Sequence, residues 1–130
     1  MIVADTSAIF AFLNKRDQHR EAVIQVFVNE PQIIVPVAIL SELAYMVESR
    51  LGQYAMAVFL DDCQNGAFSL EWRETDLPRI QALTRQYADP PLGFADASVI
   101  ALAEHIGRVA TTDRRHFNVV KTKKPLELLP

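Results

Sequence analysis

The sequence predicts an α/β fold, with a central parallel sheet flanked by helices, formed as one domain over residues 1–130. Three observations predict it. Short β-branched, apolar runs alternate along the chain with longer segments of helical period. Such alternation calls for crossover helices and therefore for parallel strands. The 130 residues contain no internal repeat and no Gly/Ser/Pro-rich linker. That length suits one ordinary domain, able to bury roughly 65–70% of its unfolded surface without staples.

The elements follow in order. Ile2-Val3-Ala4 is a short strand that stops at Asp5-Thr6-Ser7, three residue types that favour helix N-caps. Ala8 to Leu13 forms a first helix, and Arg20 to Asn29 a second with Ala22, Val23, Val26 and Phe27 at helical spacing. Pro31 stops that helix, and Ile33-Ile34-Val35 reads as a buried strand. Pro36 opens the next turn, after which Ile39, Leu40, Leu43, Met46 and Val47 form a helical stripe. Gly52 breaks it, and Ala55 to Cys63 resumes it with Val58, Phe59 and Leu60. Asn65-Gly66 is a turn before a short strand at Ala67–Leu70. Leu77 to Tyr87 is helical, with Ile80, Leu83, Thr84 and Tyr87 on one side. The Asp89–Gly93 loop leads into a strongly apolar helix from Phe94 to His105, closed by Gly107. Arg108 to Thr112 is the last predicted strand, and it ends at Asp113.

Composition narrows the classes further. Half the residues are hydrophobic and 22% are charged, a globular balance rather than a disordered one. The single cysteine, Cys63, excludes an internal disulfide and a cysteine-rich zinc site, and it suits a reducing compartment. No basic segment precedes the first apolar run. The longest such run, Ile33 to Leu40, is far short of the ~20 residues needed to span a bilayer. These features predict a soluble, cytoplasmic protein with no membrane partner. The net charge of −3 carries no overall signature for nucleic acid. Its distribution is uneven, however. Residues 1–107 hold seven basic and fourteen acidic side chains, whereas residues 108–130 hold six basic and two acidic. That asymmetry suits either a tail facing an anionic partner or an ordinary solvated end.

Four carboxylates resist a purely structural reading. Asp5 and Asp113 each follow a predicted strand directly, at the edge where open parallel sheets bind ligands. Either alone fits an N-cap or an Asx-turn. Glu42 has Ile39 and Met46 at i−3 and i+4, and Asp96 has Val99 and Ile100 at i+3 and i+4. Both acids thus point along apolar stripes with no local base. A buried carboxylate must be paired, protonated or bound to a cation, and converging acids raise one another's pKa. A distant Arg or Lys would answer this. So would a hard divalent cation, with Mg²⁺ or Mn²⁺ favoured because no Cys or His spacing points to zinc. Such a site orients and hydrolyses phosphate esters.

The residues resemble a known family, the PIN-domain nucleases, and among them the small VapC-type toxins of bacterial and archaeal toxin–antitoxin pairs. The resemblance spans essentially the whole chain. It rests on Val3-Ala4-Asp5-Thr6-Ser7, Ser41-Glu42-Leu43, Phe94-Ala95-Asp96-Ala97-Ser98-Val99-Ile100-Ala101-Leu102-Ala103 and Thr111-Thr112-Asp113-Arg114-Arg115-His116-Phe117, in that order and spacing. It implies a metal-dependent endoribonuclease in which Asp5, Glu42, Asp96 and Asp113 form an acidic catalytic pocket. Asp5 and Asp96 would ligate Mg²⁺ or Mn²⁺, with Glu42 and Asp113 on a second metal or on its waters. Thr6, Ser7 and Thr112 match the family's hydroxyl positions. A cognate antitoxin and a homodimer are the implied protein partners.

Arg114 and Arg115 follow the last acid and would meet RNA phosphates at the cleft rim, or else serve as solvated surface charge. His116 is not needed as a general base beside a metal. Cys63 reads as a small core residue, and Trp72 as a strand-end residue with the capacity to stack on a base. Two rival classes remain. A Mg²⁺-dependent phosphatase of the haloacid-dehalogenase kind would want a second Asp where Ser7 stands. A non-catalytic RNA- or protein-binding module on the same fold would have little use for four clustered acids.

Overall fold

The computed structural model describes residues 1–130. Five short strands form one all-parallel sheet: β1 (Ile2–Ala4), β2 (Ile33–Pro36), β3 (Ser69–Glu71), β4 (Arg108–Ala110) and β5 (Glu127–Leu129), in the order β3-β2-β1-β4-β5. Seven helices surround it: α1 (Thr6–Leu13), α2 (Arg20–Val28), α3 (Leu40–Arg50), α4 (Gln53–Gln64), α5 (Leu77–Gln86), α6 (Phe94–Ile106) and α7 (Arg115–Val119). The α/β class and parallel sheet expected from the alternating pattern are therefore present. The fifth strand and the last short helix lie in the polar C-terminal segment, where apolar periodicity carries no signal.

The strand order reverses between β1 and β4. The chain leaves β1 toward β2 on one side, and β4 returns to the other. A crevice opens at such a switch point, outside the carboxyl ends of the two strands. Asp5 follows β1 and Asp113 lies three residues beyond β4, so each lies beside this crevice. The pairing runs past the named strand, since the Asp5 N–H donates to the Ala110 carbonyl at 3.1 Å.

The main core joins β1, β2 and β4 to α1–α4 and part of α6, with Phe12, Phe27 and Phe68 in mutual ring contact and Phe59 packed against Phe68. A second cluster joins Ile80 and Leu83 of α5 to Ala97, Ile100 and Ala101 of α6. Helix α6 thus faces both cores, with Val99, Leu102 and Ala103 turned to the first. This explains why it is apolar around most of its circumference. Gly107 closes it in the left-handed region at φ 90, its N–H donating to the Ala103 carbonyl at 2.7 Å. Packing pins α6 along its middle and leaves its first turn, with Asp96, at the rim.

The stripe predicted on α3 is buried at Ile39, Leu43 and Val47. On α4, Met56 and Phe59 are buried while Leu60 is exposed, and Ala22 of α2 faces solvent. No helix is long and apolar enough to cross a membrane.

Candidate active site

Four separated segments bring acids to one cavity of about 230 Å³. It is lined by Asp5, Thr6, Ser7, Glu42, Met46, Asp96, Val99, Ile100, Asp113, Arg115, His116 and Phe117. All four carboxylates singled out in the sequence line it. Each has a local reason for its place. Asp5 caps α1: its Oδ1 accepts the Ala8 N–H at 2.9 Å and the Ser7 hydroxyl at 2.7 Å. Glu42 and Asp96 sit in the first turns of α3 and α6, where the helix dipole favours a negative charge. Asp113 turns the chain into α7, its Oδ1 accepting the Arg115 N–H at 3.2 Å.

Asp5 therefore caps α1 through one oxygen and also lines the cavity. Burial pushes this carboxyl up to about 6, against the Thr111 and Ser7 hydroxyls and the Ala8 N–H, which favour its charge; Asp96 adds to the rise. Glu42 is raised by partial burial and by Asp96, with His116 opposing. Asp96 is raised by burial and by Asp113, while His116 and Arg115 pull it down. Asp113 goes the other way, because Arg115 holds it below the ordinary carboxylate range.

These partners correct two expectations. The reading of Glu42 and Asp96 as buried acids without a base does not hold. Glu42 is exposed, because Leu43 and Val47 take the inward positions of α3 and leave it on the flank. The Asp96 side chain is 44% exposed and faces His116, whose Nε2 stands 3.2 Å from its Oδ2. Arg115 grips Asp113 through Nε at 2.9 Å and Nη2 at 2.5 Å. The second correction concerns the supporting hydroxyl. Thr111, not Thr112, supplies it: Thr111 Oγ1 lies 3.2 Å from Ser7 Oγ and accepts the Asp113 N–H at 3.1 Å. Thr112 contributes only its backbone N–H, to Ser7 Oγ at 2.9 Å. Past β4 the chain bends at Thr112, and the Thr111 hydroxyl holds the Asp113 backbone in a local turn. A threonine two residues before the acid, placed to form such a turn, is the signal that finds it. His116 is the other site residue that sequence reasoning set aside.

The basic C-terminal segment does not converge on the cavity. Arg108 pairs with Glu30 and Glu127. Arg114 donates to the carbonyls of Leu128 and Pro130. Lys123 lies by Glu104, toward the far end of α6 from Asp96. Of the six cations, only Arg115 lines the site.

The donor set suits a hard cation: four carboxylates and neighbouring hydroxyls, with no sulfur. As the side chains stand, no three His, Cys, Asp or Glu groups are arranged to hold a metal ion. Asp113 is turned to Arg115 and Asp96 to His116, so two of the acids already face groups of the chain itself. Binding an ion there would require those two pairs to open.

A parallel sheet with a carboxylate-lined crevice at its switch point defines an α/β protein whose candidate site lies where open parallel sheets bind their ligands. The profile of the PIN domain matches residues 2–123, and the chain belongs to that family. It is similar to ribonuclease VapC26 of Mycobacterium tuberculosis, with 27% identity over 124 residues covering 92% of each chain. Among solved structures its fold is similar to VapC20 of Mycobacterium tuberculosis, a sarcin–ricin-loop-cleaving toxin. The TM-score is 0.80 at 15% identity, over 96% of this chain and 99% of that one. It is also similar to VapBC2 of Rickettsia felis, solved with a promoter DNA fragment, at a TM-score of 0.74, 14% identity and full coverage of both chains. FitAcB of Neisseria gonorrhoeae gives a TM-score of 0.65 at 20% identity, over all of this chain and 97% of that one.

Proposed function

We propose that this chain is a divalent-metal-dependent endoribonuclease and the toxin of a toxin–antitoxin pair. One observation carries the reading. Four acids from segments that begin near residues 5, 42, 96 and 113 line one cavity, in a PIN-domain chain similar along nearly its whole length to a named ribonuclease. In this reading Asp5 and Asp96 hold Mg²⁺ or Mn²⁺, and Glu42 and Asp113 hold a second ion or its waters. An ion of this class activates water and stabilises the leaving oxygen of a phosphodiester.

The chain's own groups do the rest. Ser7 and Ala8 fix one oxygen of Asp5, a residue that lines the cavity. Thr111 braces Ser7 on one side and the Asp113 backbone on the other. Thr6 lines the wall. Arg115, with its side chain 85% exposed, reaches an RNA phosphate by releasing Asp113, and Arg114 serves at the outer rim. The toxin class implies a cytoplasmic protein held by a cognate antitoxin, with a homodimer as its working assembly.

Cleavage of structured and unstructured RNA by the purified protein, with Mg²⁺, Mn²⁺ or EDTA and beside Asp96→Asn, tests the proposal. Metal-dependent cutting that the variant lacks is the expected result. Failure of the wild type to bind any divalent ion would overturn it.

A further inference from the structure

Outside the acid cavity, the exposed aromatic pair Trp72 and Phe94 has no role in either core. Trp72 is 46% exposed and Phe94 51% exposed, with ring centroids 6.3 Å apart and tilted by 43°. Single exposed apolar side chains are ordinary. These two come from segments 22 residues apart in sequence and form one surface feature.

The pair lies on the active side of the sheet. Trp72 directly follows β3, and every strand runs parallel, so it lies at the same carboxyl edge as Asp5. Two strand spacings, about 10 Å, separate the ends of β3 and β1 across that edge. Phe94 opens α6 two residues before Asp96, a spacing that turns the two side chains to different flanks of the helix, Phe94 toward Trp72 and Asp96 toward the acid cavity. The pair thus lies at the same edge of the sheet as the acid pocket, around the first turn of α6 from it, within reach of a strand whose phosphodiester is held at the acids.

A nuclease must grip its strand, and Arg115 alone among the six C-terminal cations lines the acid pocket. The protein carries a net −3, and the arginines nearest the pair and the pocket start out in ion pairs that must open before they meet a phosphate. Arg73, next to Trp72, is bonded to Glu71 at 2.8 Å; Arg115 is bonded to Asp113. Exposed aromatic faces provide the alternative, since an unpaired base stacks on them whatever its sequence. We propose that Trp72 and Phe94 form a stacking platform for an unpaired base of the substrate strand, near the scissile phosphodiester. This inference rests on the ribonuclease reading above.

Trp72 is the only tryptophan, so its fluorescence reports on the platform alone. Titration with a short unstructured RNA in EDTA should quench it, and the quenching should persist at high salt, where phosphate contacts weaken. In cleavage assays Trp72→Ala and Phe94→Ala should each raise KM roughly ten-fold, with kcat moving far less, and Trp72→Phe should recover most of the loss. Tyr54→Ala, a still more exposed aromatic on α4 outside the site, should leave KM alone. A wild type that cuts RNA while Trp72 fluorescence stays flat and both variants keep their KM would overturn the platform and leave the nuclease reading standing. Shielding of Trp72 from acrylamide that grows with protein concentration would also overturn it, by assigning the face to a second copy of the chain. A wild type that neither binds nor cuts RNA would remove both readings.

Discussion

Replacing Asp5 by Asn tests the electrostatics of the pocket apart from any turnover. The carboxyl titrates at about 6 in the fold rather than at the ordinary 3.8. Because its folded value is raised, the folded state holds the proton more tightly, and stability falls as pH rises from about 4 through about 6. At about 1.4 kcal/mol per pH unit, the ionised Asp5 costs up to about 3 kcal/mol above pH 7 and under about 1 near pH 4. Asn keeps the cap, since its side-chain oxygen accepts the same Ala8 N–H and Ser7 hydroxyl, but it never ionises. In EDTA, urea unfolding should therefore show Asp5→Asn more stable than the wild type at pH 7.5, with the advantage shrinking toward pH 4. Comparing the two proteins at each pH cancels Glu30, Glu104 and Asp113, whose lowered values bias stability the opposite way. A variant less stable than the wild type at every pH would refute the reasoning and show that Asp5 is held by contacts, not strained by burial. Saturating Mg²⁺ or Mn²⁺ should erase the advantage, because an ion that binds only the folded wild type stabilises it by mass action.

Four further outcomes follow from the same geometry. Asp96→Asn should lose RNA cleavage altogether while keeping a cooperative unfolding transition, read by circular dichroism beside the cleavage assay. Arg115→Ala should tighten Mn²⁺ binding, measured calorimetrically, because it frees Asp113; weaker binding would show that Arg115 orders the site instead. Thr111→Val should cut kcat and Thr112→Val should not, since only the Thr111 hydroxyl enters the network. Glu104→Gln should cost about 3 kcal/mol in urea unfolding at neutral pH, because it breaks a doubly hydrogen-bonded, largely buried pair with Arg79. That cost should shrink in acid, since Glu104 is held below its ordinary value and its contribution is lost as pH falls through the folded value.

Periodicity reported what depends on burial. Ile2–Ala4, Ile33–Val35 and the stripe through Ile39, Leu43 and Val47 are apolar because both sides of a central strand, or one side of a helix, must leave water. β5 and α7 were silent because their residues are only partly buried, and partial burial imposes no strict pattern. The acids were legible for a different reason. Asp5 and Asp113 were marked by following strands, a matter of chain order alone. Glu42 and Asp96 were marked by an argument that proved too strong, since helical spacing gives a direction but not a depth. The partners were invisible because Arg115 and His116 meet Asp113 and Asp96 through the turn into α7, a short polar helix without a periodic signal.

That local turn sets the state of the whole pocket. Arg115 and His116 lie two and three residues past Asp113, so one short segment carries an acid of the site together with the two groups that face its acids. On the proposed function, a divalent ion and an RNA phosphate make linked demands on this segment. The ion needs Asp113 released from Arg115 and Asp96 from His116, and the phosphate needs Arg115 released. Opening the Arg115–Asp113 pair meets the phosphate's demand and one of the ion's two, giving a carboxylate to the ion and a guanidinium to the strand. Metal and substrate should therefore bind with positive coupling, each lowering the cost of opening the pair for the other. Measuring RNA affinity with and without Mn²⁺ on the wild type and on Arg115→Lys decides it. The wild type should bind RNA more tightly with Mn²⁺, and Lys, which cannot form the forked pair with Asp113, should lose most of that coupling. Equal coupling in both proteins would mean that the pair is an incidental surface contact.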